Sequence, residues 1–251
     1  MEQKLSKKTR TESDLIGSRE VPESALYGVQ TLRGIENFRI SKFHLNEYPL
    51  FIQALAITKM GAAVANRELD LLTEEQTDAI LKACKEILEG KHHDQFPVDM
   101  IQGGAGTTTN MNANEVIANR ALELMGHARG EYQYCSPNDH VNRSQSTNDA
   151  YPTAIHIGLY YTHLKLVKHF ATLIEAFRKK GAEFAHIIKM GRTQLEDAVP
   201  MTLGQTFNGF ASILEHELKS LDFAAQDFLT VNMGATAIGT GITAEPEYAE
   251  K

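Results

Sequence analysis

The sequence is poor in cysteine, and its only two, Cys84 and Cys135, do not form a CxxC pair. A disulfide framework is therefore excluded, and a cysteine-based metal site is not expected. No run of 18 apolar residues is present, so we expect no membrane-spanning helix. The first ten residues, MEQKLSKKTR, lack an apolar core and predict no secretory signal. This pattern suits a reducing cytosol, and we expect a cytoplasmic location.

An excess of positive charge is also missing, because 32 aspartates and glutamates outnumber 25 lysines and arginines and give a formal net charge of −7. Proteins that bind nucleic acids or anionic membranes need clustered cations, so we expect neither kind of partner. A small basic cluster near the N-terminus is diluted by neighbouring glutamates, and we interpret it as a solvated tail. Its members are Lys4, Lys7, Lys8 and Arg10.

Over much of the sequence, apolar residues recur at helical spacing. Apolar residues make up 42 % of the 251 residues, which is enough for a sizeable core. A helix is predicted from Pro49 to about Leu69, and a second follows Thr73, which forms a capping-box pattern with Gln76. A third is predicted from about Asn112 to Gly126. The first 47 residues are turn-rich and predict only short strands or one-turn helices.

Two much longer helices are predicted in the second half, from Asn148 to about His186 and from Thr202 to about Leu229. The first would be about 50 Å long at a rise of about 1.5 Å per residue. Its apolar stripe consists of Val167, Phe170, Ile174 and Phe177. Two such helices cannot bury each other's apolar faces alone, so further helices from this chain or from other subunits must cover them.

The predicted fold class is mainly α, with a domain boundary near residues 136–147. We divide the chain into an N-terminal domain at residues 1–140 and the first part of a helical bundle at residues 141–251.

Three polar clusters lie at predicted helix boundaries. In the first, residues 103–110 read GGAGTTTN, where glycines allow close backbone approach and a helix start favours a carboxylate or phosphate. The cluster lacks the lysine of a Walker A loop and does not match GxGxxG. A turn with ordinary capping residues is the alternative interpretation.

The second cluster, residues 136–149, reads SPNDHVNRSQSTND and contains more hydroxyl and amide groups than helix capping needs. We therefore favour a carboxylate cradle there. The third, residues 191–200, reads GRTQLEDAVP and lies in the loop that joins the two long helices, where a polar surface loop is the simpler interpretation. His156 and His163 share a helix face without a further ligand, so we expect no metal site.

Together the three clusters resemble the substrate-binding stretches of the aspartase/fumarase superfamily. The similar stretches are GAGTTTNMNANEVIANRA, PNDHVNRSQSTNDAYPTA and GRTQLEDAVPMTLGQ, with DLIGSREVPESALYGVQTLRGIENF and VNMGATAIGTG in addition. The resemblance extends from about residue 12 to residue 251. It implies the superfamily's N-terminal helical domain followed by part of its central long-helix bundle, in a homotetramer whose active sites each draw on three subunits.

Within the superfamily the chain looks more like the aspartate ammonia-lyases than the class II fumarases. Many fumarases have Thr-His where this chain has Thr193-Gln194, and a histidine where it has Ser136. Class II fumarate hydratase stays the alternative enzyme, and a non-catalytic helical fragment is the alternative outside enzymes. Glu196 replaces a residue that is usually Gln, which nothing in the sequence explains.

The resemblance implies reversible elimination of ammonia from L-aspartate to give fumarate, without a cofactor. A base removes a proton from Cβ, the charge spreads into the adjacent carboxylate as a dianionic aci-form, and ammonia leaves Cα. Fixed hydroxyl and amide donors would stabilise that charge. By motif position, the residues expected to hold this carboxylate are Thr107, Ser146 and Thr147. Those expected to orient the amino end and the other carboxylate are Asn148, Thr193 and Gln194.

The superfamily's general base is a serine in a glycine-rich loop, GSSxMPxKxNP, and these 251 residues do not contain that motif. Members of the superfamily are much longer. We therefore expect this chain to be the N-terminal portion of such a protein, with the base in the missing C-terminal part and no catalytic base of its own.

The purified 251-residue chain is accordingly expected to form no fumarate from aspartate, because it has no group in place to remove the Cβ proton. Absorbance of fumarate in the ultraviolet measures this directly. Detectable fumarate formation by the chain alone would contradict the expectation.

Overall fold

The structure, a computed structural model, describes residues 8–251 and is mainly α, as the sequence predicts. The helices are α1 (Val29–Asn37), α2 (Pro49–Glu68), α3 (Glu74–Leu88), α4 (Thr107–Leu124), α5 (Thr147–Glu183) and α6 (Leu203–Ala225). The strands are β1 (Thr9–Asp14), β2 (Gly17–Pro22), β3 (Ile188–Thr193) and β4 (Glu196–Thr202).

Contacts divide the chain into two compact units. The first contains the described residues up to Gly158 together with Val231–Lys251, and the second contains Leu159–Thr230. The domain boundary predicted between residues 140 and 141 stays a prediction.

The N-terminal segment is an antiparallel hairpin of β1 and β2, in register from Thr9 opposite Pro22 to Asp14 opposite Gly17. The interpretation of the basic cluster as a solvated tail is wrong for Arg10. Its guanidinium donates to Glu12 Oε1 at 2.8 Å and to Ala25 O at 2.7 Å, because the buried carboxylate of Glu12 needs a charged partner. Lys4 and Lys7 lie outside the described residues.

Helix α1 begins at a buried end that two carboxylates cap from other elements. Glu115 of α4 accepts hydrogen bonds from the backbone N–H groups of Gly28, Gln30 and Thr31 at 2.8–3.0 Å. Glu12 accepts from the N–H of Val29 at 3.0 Å. A Cβ at Gly28 would lie 2.5 Å from Glu12 Oε2, so the close approach requires glycine. Negative charge at a helix N-terminus also suits the helix dipole.

Helices α2, α3 and α4 enclose the main core of the first unit. The sequence-based bounds of α2 and α3 are confirmed, and Thr73 with Gln76 forms the expected capping box. The start of α4 was placed too late, because it begins at Thr107 rather than near Asn112. Gly106, with φ 90°, ends the glycine loop and starts the helix, so the threonines belong to its first turn. Large core side chains are Ile52, Leu55, Ile80, Ile87, Phe96, Ile117 and Leu122.

In the second unit, the loop expected between the long helices is a β-hairpin of β3 and β4. Its two-residue turn consists of Gln194 and Leu195, with φ of 51° and 69°. Two successive left-handed residues are typical of a type I′ turn, which matches the twist of a hairpin. The sequence did not predict this hairpin, because neither turn residue is the glycine or asparagine that is usual in such a turn.

Helices α5 and α6 are 37 and 23 residues long and pack through aromatic rings in the second unit. The Phe177 and Phe207 ring centroids lie 5.9 Å apart, and Phe184 and Phe207 lie 5.5 Å apart. Other apolar side chains on these helices remain in solvent, with Phe223 82 % and Ile213 60 % exposed. The two helices therefore do not cover all of their apolar surface within the described chain, as the sequence predicts.

Both cysteines are buried free thiols, and burial raises the pKa of each to about 12. Neither is a ready nucleophile, because reaction needs the thiolate. Of the helices in residues 8–251, none combines the length and hydropathy that crossing a bilayer requires.

Replacing Glu115 with alanine is expected to lower the free energy of unfolding by about 3 kcal/mol or more. Three backbone N–H groups would lose their acceptor, and each unsatisfied buried group costs about 1–3 kcal/mol. Urea unfolding followed by circular dichroism measures the loss. The matched control is Glu89→Ala, which removes an exposed carboxylate whose ion pair with Lys91 contributes about 1 kcal/mol at most. Equal losses in the two variants would contradict the capping role of Glu115.

Candidate functional site

The six residues predicted to bind substrate are distributed over both units. Thr107, Ser146, Thr147 and Asn148 lie in the first unit, whereas Thr193 and Gln194 lie in the second. The predicted roles of all six stay predictions.

In the first unit, the starts of α4 and α5 lie against each other. Thr107 and Thr147 are the first residues of the two helices. A Cβ added to Gly106, the residue before α4, would lie 2.5 Å from the ring of Tyr151 in the second turn of α5. Gly106 therefore has to be glycine both for its φ of 90° and for this close packing. Two adjacent helix N-termini direct partial positive charge to one place, which favours a carboxylate.

The loop before α4 is fixed by hydrogen bonds and close packing within the first unit. Gln102 uses both ends of its amide on Thr109, accepting from the backbone N–H at 2.9 Å and donating to the hydroxyl at 2.8 Å. A Cβ at Gly103 would lie 3.2 Å from the ring of Phe38. Thr107, the first residue of α4 and the residue that follows this loop, is exposed. Its hydroxyl is thus presented to solvent at the end of a fixed loop.

The first turn of α5 is fixed by Asp149, which is fully buried. One carboxylate oxygen accepts from the N–H of Ser146 at 2.9 Å, and the other accepts from the N–H groups of Gly234 and Thr236 at 3.2 and 2.8 Å. Asp149 therefore ties the VNMGATAIGTG stretch to the start of α5. The sequence reasoning included both segments but did not assign Asp149, whose only signal was an acidic residue in a helix first turn.

Two predicted residues beside Asp149 already have partners within the protein. The Asn148 side chain donates to Ala237 O at 2.8 Å and is otherwise exposed. Ser146 Oγ accepts the N–H of Asn148 at 3.2 Å. Because that bond uses an oxygen lone pair, the hydroxyl hydrogen of Ser146 stays available for donation.

Behind these groups lies Lys59 of α2, whose side chain is fully buried. Its Nζ donates to three amide oxygens, Asn110 Oδ1 at 2.7 Å, Gln145 Oε1 at 2.8 Å and Asn142 Oδ1 at 3.0 Å. Burial lowers the pKa of Lys59 to about 7, although the charge of Asp149 opposes this shift, as does Cys84 to a smaller extent. Sequence reasoning missed Lys59. A lysine on an alanine-rich helix face was the one available signal.

The amides around Lys59 connect it to the predicted site. Asn110 Nδ2 donates to Thr147 Oγ1 at 3.2 Å and to Asn142 Oδ1 at 3.1 Å. Asn114 Nδ2 donates to the same Asn142 oxygen at 3.1 Å. The network thus joins α2, α4 and the turn before α5 through buried or half-buried polar groups.

In the second unit, Thr193 ends β3 and Gln194 occupies the hairpin turn. Both are exposed, and the neighbouring Leu195 is 97 % exposed. Arg192 and Asp197 form an ion pair across the hairpin at 2.9 Å. A non-glycine residue at positive φ costs about 1–3 kcal/mol, so the paired strands must hold this turn in place.

Within residues 8–251, no group of three histidine, cysteine or acidic side chains is arranged to hold a metal ion. His163 is paired with Asp222 at 3.0 Å in the second unit.

Comparison with known proteins shows a match to a family described as lyase over residues 17–251. An aspartate ammonia-lyase of Pseudomonas fluorescens is 58 % identical over 240 residues, which cover 95 % of this chain and 50 % of the relative. The aspartate ammonia-lyase of Escherichia coli is 54 % identical over 246 residues, covering 98 % and 52 %. The chain spans about half the length of the curated relatives it matches.

Solved structures show the same fold. A fumarate lyase:delta crystallin of Brucella melitensis, bound to cobalt, has a TM-score of 0.91 and 52 % identity, covering 97 % of this chain and 53 % of that one. A class II fumarase of Schistosoma mansoni has a TM-score of 0.88 and 36 % identity, covering 97 % and 51 %.

The stability of the fold is expected to depend on pH through Lys59. Its folded-state pKa of about 7 lies below the unfolded value of 10.5, so unfolding between these values takes up a proton and becomes less favourable as pH rises. Relative to Lys59→Met, the wild type should gain up to about 1.4 kcal/mol of stability per pH unit between about pH 8 and 10. Urea unfolding of both proteins across this range measures the difference. A difference that does not change with pH would contradict the lowered pKa.

Proposed function

The chain belongs to the lyase family that it matches over residues 17–251, and from this premise we propose that the full-length protein is an aspartate ammonia-lyase. The observation that carries the proposal is 54–58 % identity to aspartate ammonia-lyases over at least 95 % of this chain. The reaction is the reversible elimination of ammonia from L-aspartate to give fumarate. Because the chain covers about half of these relatives, the activity belongs to the full-length protein.

In the proposed mechanism, the hard step is the second negative charge that forms on the substrate's β-carboxylate. Thr107, Ser146 and Thr147 bind this carboxylate with hydroxyl groups at the starts of α4 and α5. Support comes from the packing of these two helix starts and from the exposed or half-buried positions of the three hydroxyls. Donors fixed before the reaction stabilise developing charge without reorganising during it.

Asn148, Thr193 and Gln194 orient the amino group and the α-carboxylate. Their support is the motif resemblance, together with the exposure of all three side chains. The proton is removed by a serine from the superfamily's glycine-rich loop, which lies outside these 251 residues. The cytoplasmic location and the homotetramer remain proposals, and the exposed apolar side chains of α5 and α6, such as Phe223, support assembly.

Class II fumarase is the alternative, favoured by one specific observation: a class II fumarase shares this fold with a TM-score of 0.88. Its 36 % identity is lower than the 54–58 % found for aspartate ammonia-lyases. An ultraviolet assay on the full-length protein, with aspartate against malate, separates the two. Fumarate formation from malate but not from aspartate would overturn the proposal.

Replacing Thr147 with alanine in the full-length protein is expected to lower kcat for aspartate by about 10² to 10³, the usual effect of losing one donor to developing charge. The KM should change much less, because the interaction strengthens as charge develops. The control is Thr11→Ala, which removes an exposed hydroxyl from the N-terminal hairpin and should leave kcat unchanged. An unchanged kcat in Thr147→Ala would remove Thr147 from the mechanism.

A further inference from the structure

We propose that Asn110, held by the Lys59 ammonium, is a positioning residue that directs the hydroxyl hydrogen of Thr147 toward the bound carboxylate. The inference rests on the proposed function, since it concerns how Thr147 becomes a donor in that reaction. Its basis is the juxtaposition of a buried cation, a buried amide and the first hydroxyl of α5.

The first step is the orientation of the Asn110 amide. Below its pKa of about 7, Lys59 is an ammonium with three donors and no acceptor, so every partner must present an acceptor atom to it. At 2.7 Å, the Asn110 group that faces Nζ is therefore the carbonyl oxygen. Asn142 and Gln145 take the other two donors with their own oxygens. All three ammonium hydrogens are thereby used, and the buried charge has a complete set of partners.

The second step follows from the planar amide. With Oδ1 facing Lys59, the NH₂ group of Asn110 faces the other way, toward Thr147 Oγ1 at 3.2 Å and Asn142 Oδ1 at 3.1 Å. Asn110 is 1 % exposed, so water cannot easily replace these contacts. The amide cannot rotate without placing its NH₂ group against the ammonium. Its direction is thus fixed by charge.

The third step concerns the hydroxyl. An N–H that donates to Thr147 Oγ1 occupies one lone pair and repels the hydroxyl hydrogen, which must point away from Asn110. The side chain is half-buried at the start of α5, so this hydrogen remains free to donate to a ligand. Lys59 also polarises the amide between them, which strengthens the second hydrogen bond of the chain. Thr147 thereby becomes a donor before substrate binds.

Asn110→Asp is the sharpest test, because it keeps the shape and the oxygen that faces Lys59 but replaces the NH₂ group with a second oxygen. That oxygen would accept the Thr147 hydrogen and withdraw it from the substrate. Below pH 7, where Lys59 is protonated, we expect kcat for aspartate in the full-length protein to fall by about 10² or more, close to the effect of losing the Thr147 donor itself. The KM should change little, and circular dichroism must show that the variant is folded, because a loss of folded protein also lowers the apparent kcat at unchanged KM.

The control is Asn114→Asp, the same change one helical turn later in α4. Asn114 also donates to Asn142 Oδ1 but has no contact with Thr147. A negative charge introduced near Lys59 is therefore common to both variants, and the Thr147 contact is not. We expect Asn114→Asp to lower kcat far less than Asn110→Asp. Equal losses would overturn the inference.

A double-mutant cycle with Thr147→Val isolates the coupling. Thr147→Val should lower kcat by about 10² to 10³ in the wild type. In the Asn110→Asp background it should change kcat by no more than about twofold, the scatter of additive pairs. If Asn110→Asp does not fold, Asn110→Ser replaces it, since the shorter side chain also removes the NH₂ group that donates to Thr147. If the wild type deaminates aspartate but the losses in the two variants are additive, this inference alone is overturned. A wild type without that activity would overturn the proposed function and the inference with it.

Discussion

The polar interior of the first unit depends on one constraint, the need to satisfy the buried ammonium of Lys59. An isolated charge inside a protein is costly unless every donor is bonded, and here three amide oxygens at 2.7–3.0 Å take the three donors. Those oxygens come from α4 and from the turn before α5, while the lysine comes from α2. Moving any of these segments would leave the charge without a partner. The ammonium thus fixes the spacing of the elements that present the candidate site.

Buried carboxylates satisfy the backbone N–H groups at another helix start, the N-terminus of α1. Glu115 and Glu12 close the N-terminus of α1 by accepting its free N–H groups, so nothing there is left for a ligand. Helix α4 also has a glycine N-cap, Gly106, but the N–H of its third residue, Thr109, is accepted by the neutral amide of Gln102 rather than by a carboxylate. Its first residue, Thr107, is exposed. In the proposed mechanism this difference separates a structural helix start from one that binds substrate.

Elements that depend on local periodicity could be predicted from the sequence, and those that depend on distant partners could not. Pro49, the Thr73–Gln76 capping box and the apolar stripe on α5 act within a few residues, and the helices they predict are present. The hairpin at residues 188–202 escaped prediction because its turn uses Gln194 and Leu195 in a conformation that sequence statistics assign to glycine or asparagine.

The candidate site shows the same division. Its hydroxyl groups lie in polar runs that are evident in the sequence. Lys59, in contrast, lies among apolar residues and resembles an ordinary helix lysine. Its partners are 51 to 86 positions away in the chain, so only the folded structure brings them together.

The position of Lys59 also has an electrostatic consequence for the proposed reaction. Lys59 makes its three hydrogen bonds to amide oxygens of the protein, so it does not itself hold the substrate. A cation one amide behind the hydroxyl acts on the direction and polarity of a donor instead, and such a donor gains most when the carboxylate gains charge. Because the ammonium is fully buried, water screens it little, and its field reaches Thr147 through a single polarised amide. The buried charge of Lys59 would by itself only lower stability. Through its amide partners it instead sets the orientation of the Thr147 hydroxyl, at the surface where the substrate is proposed to bind.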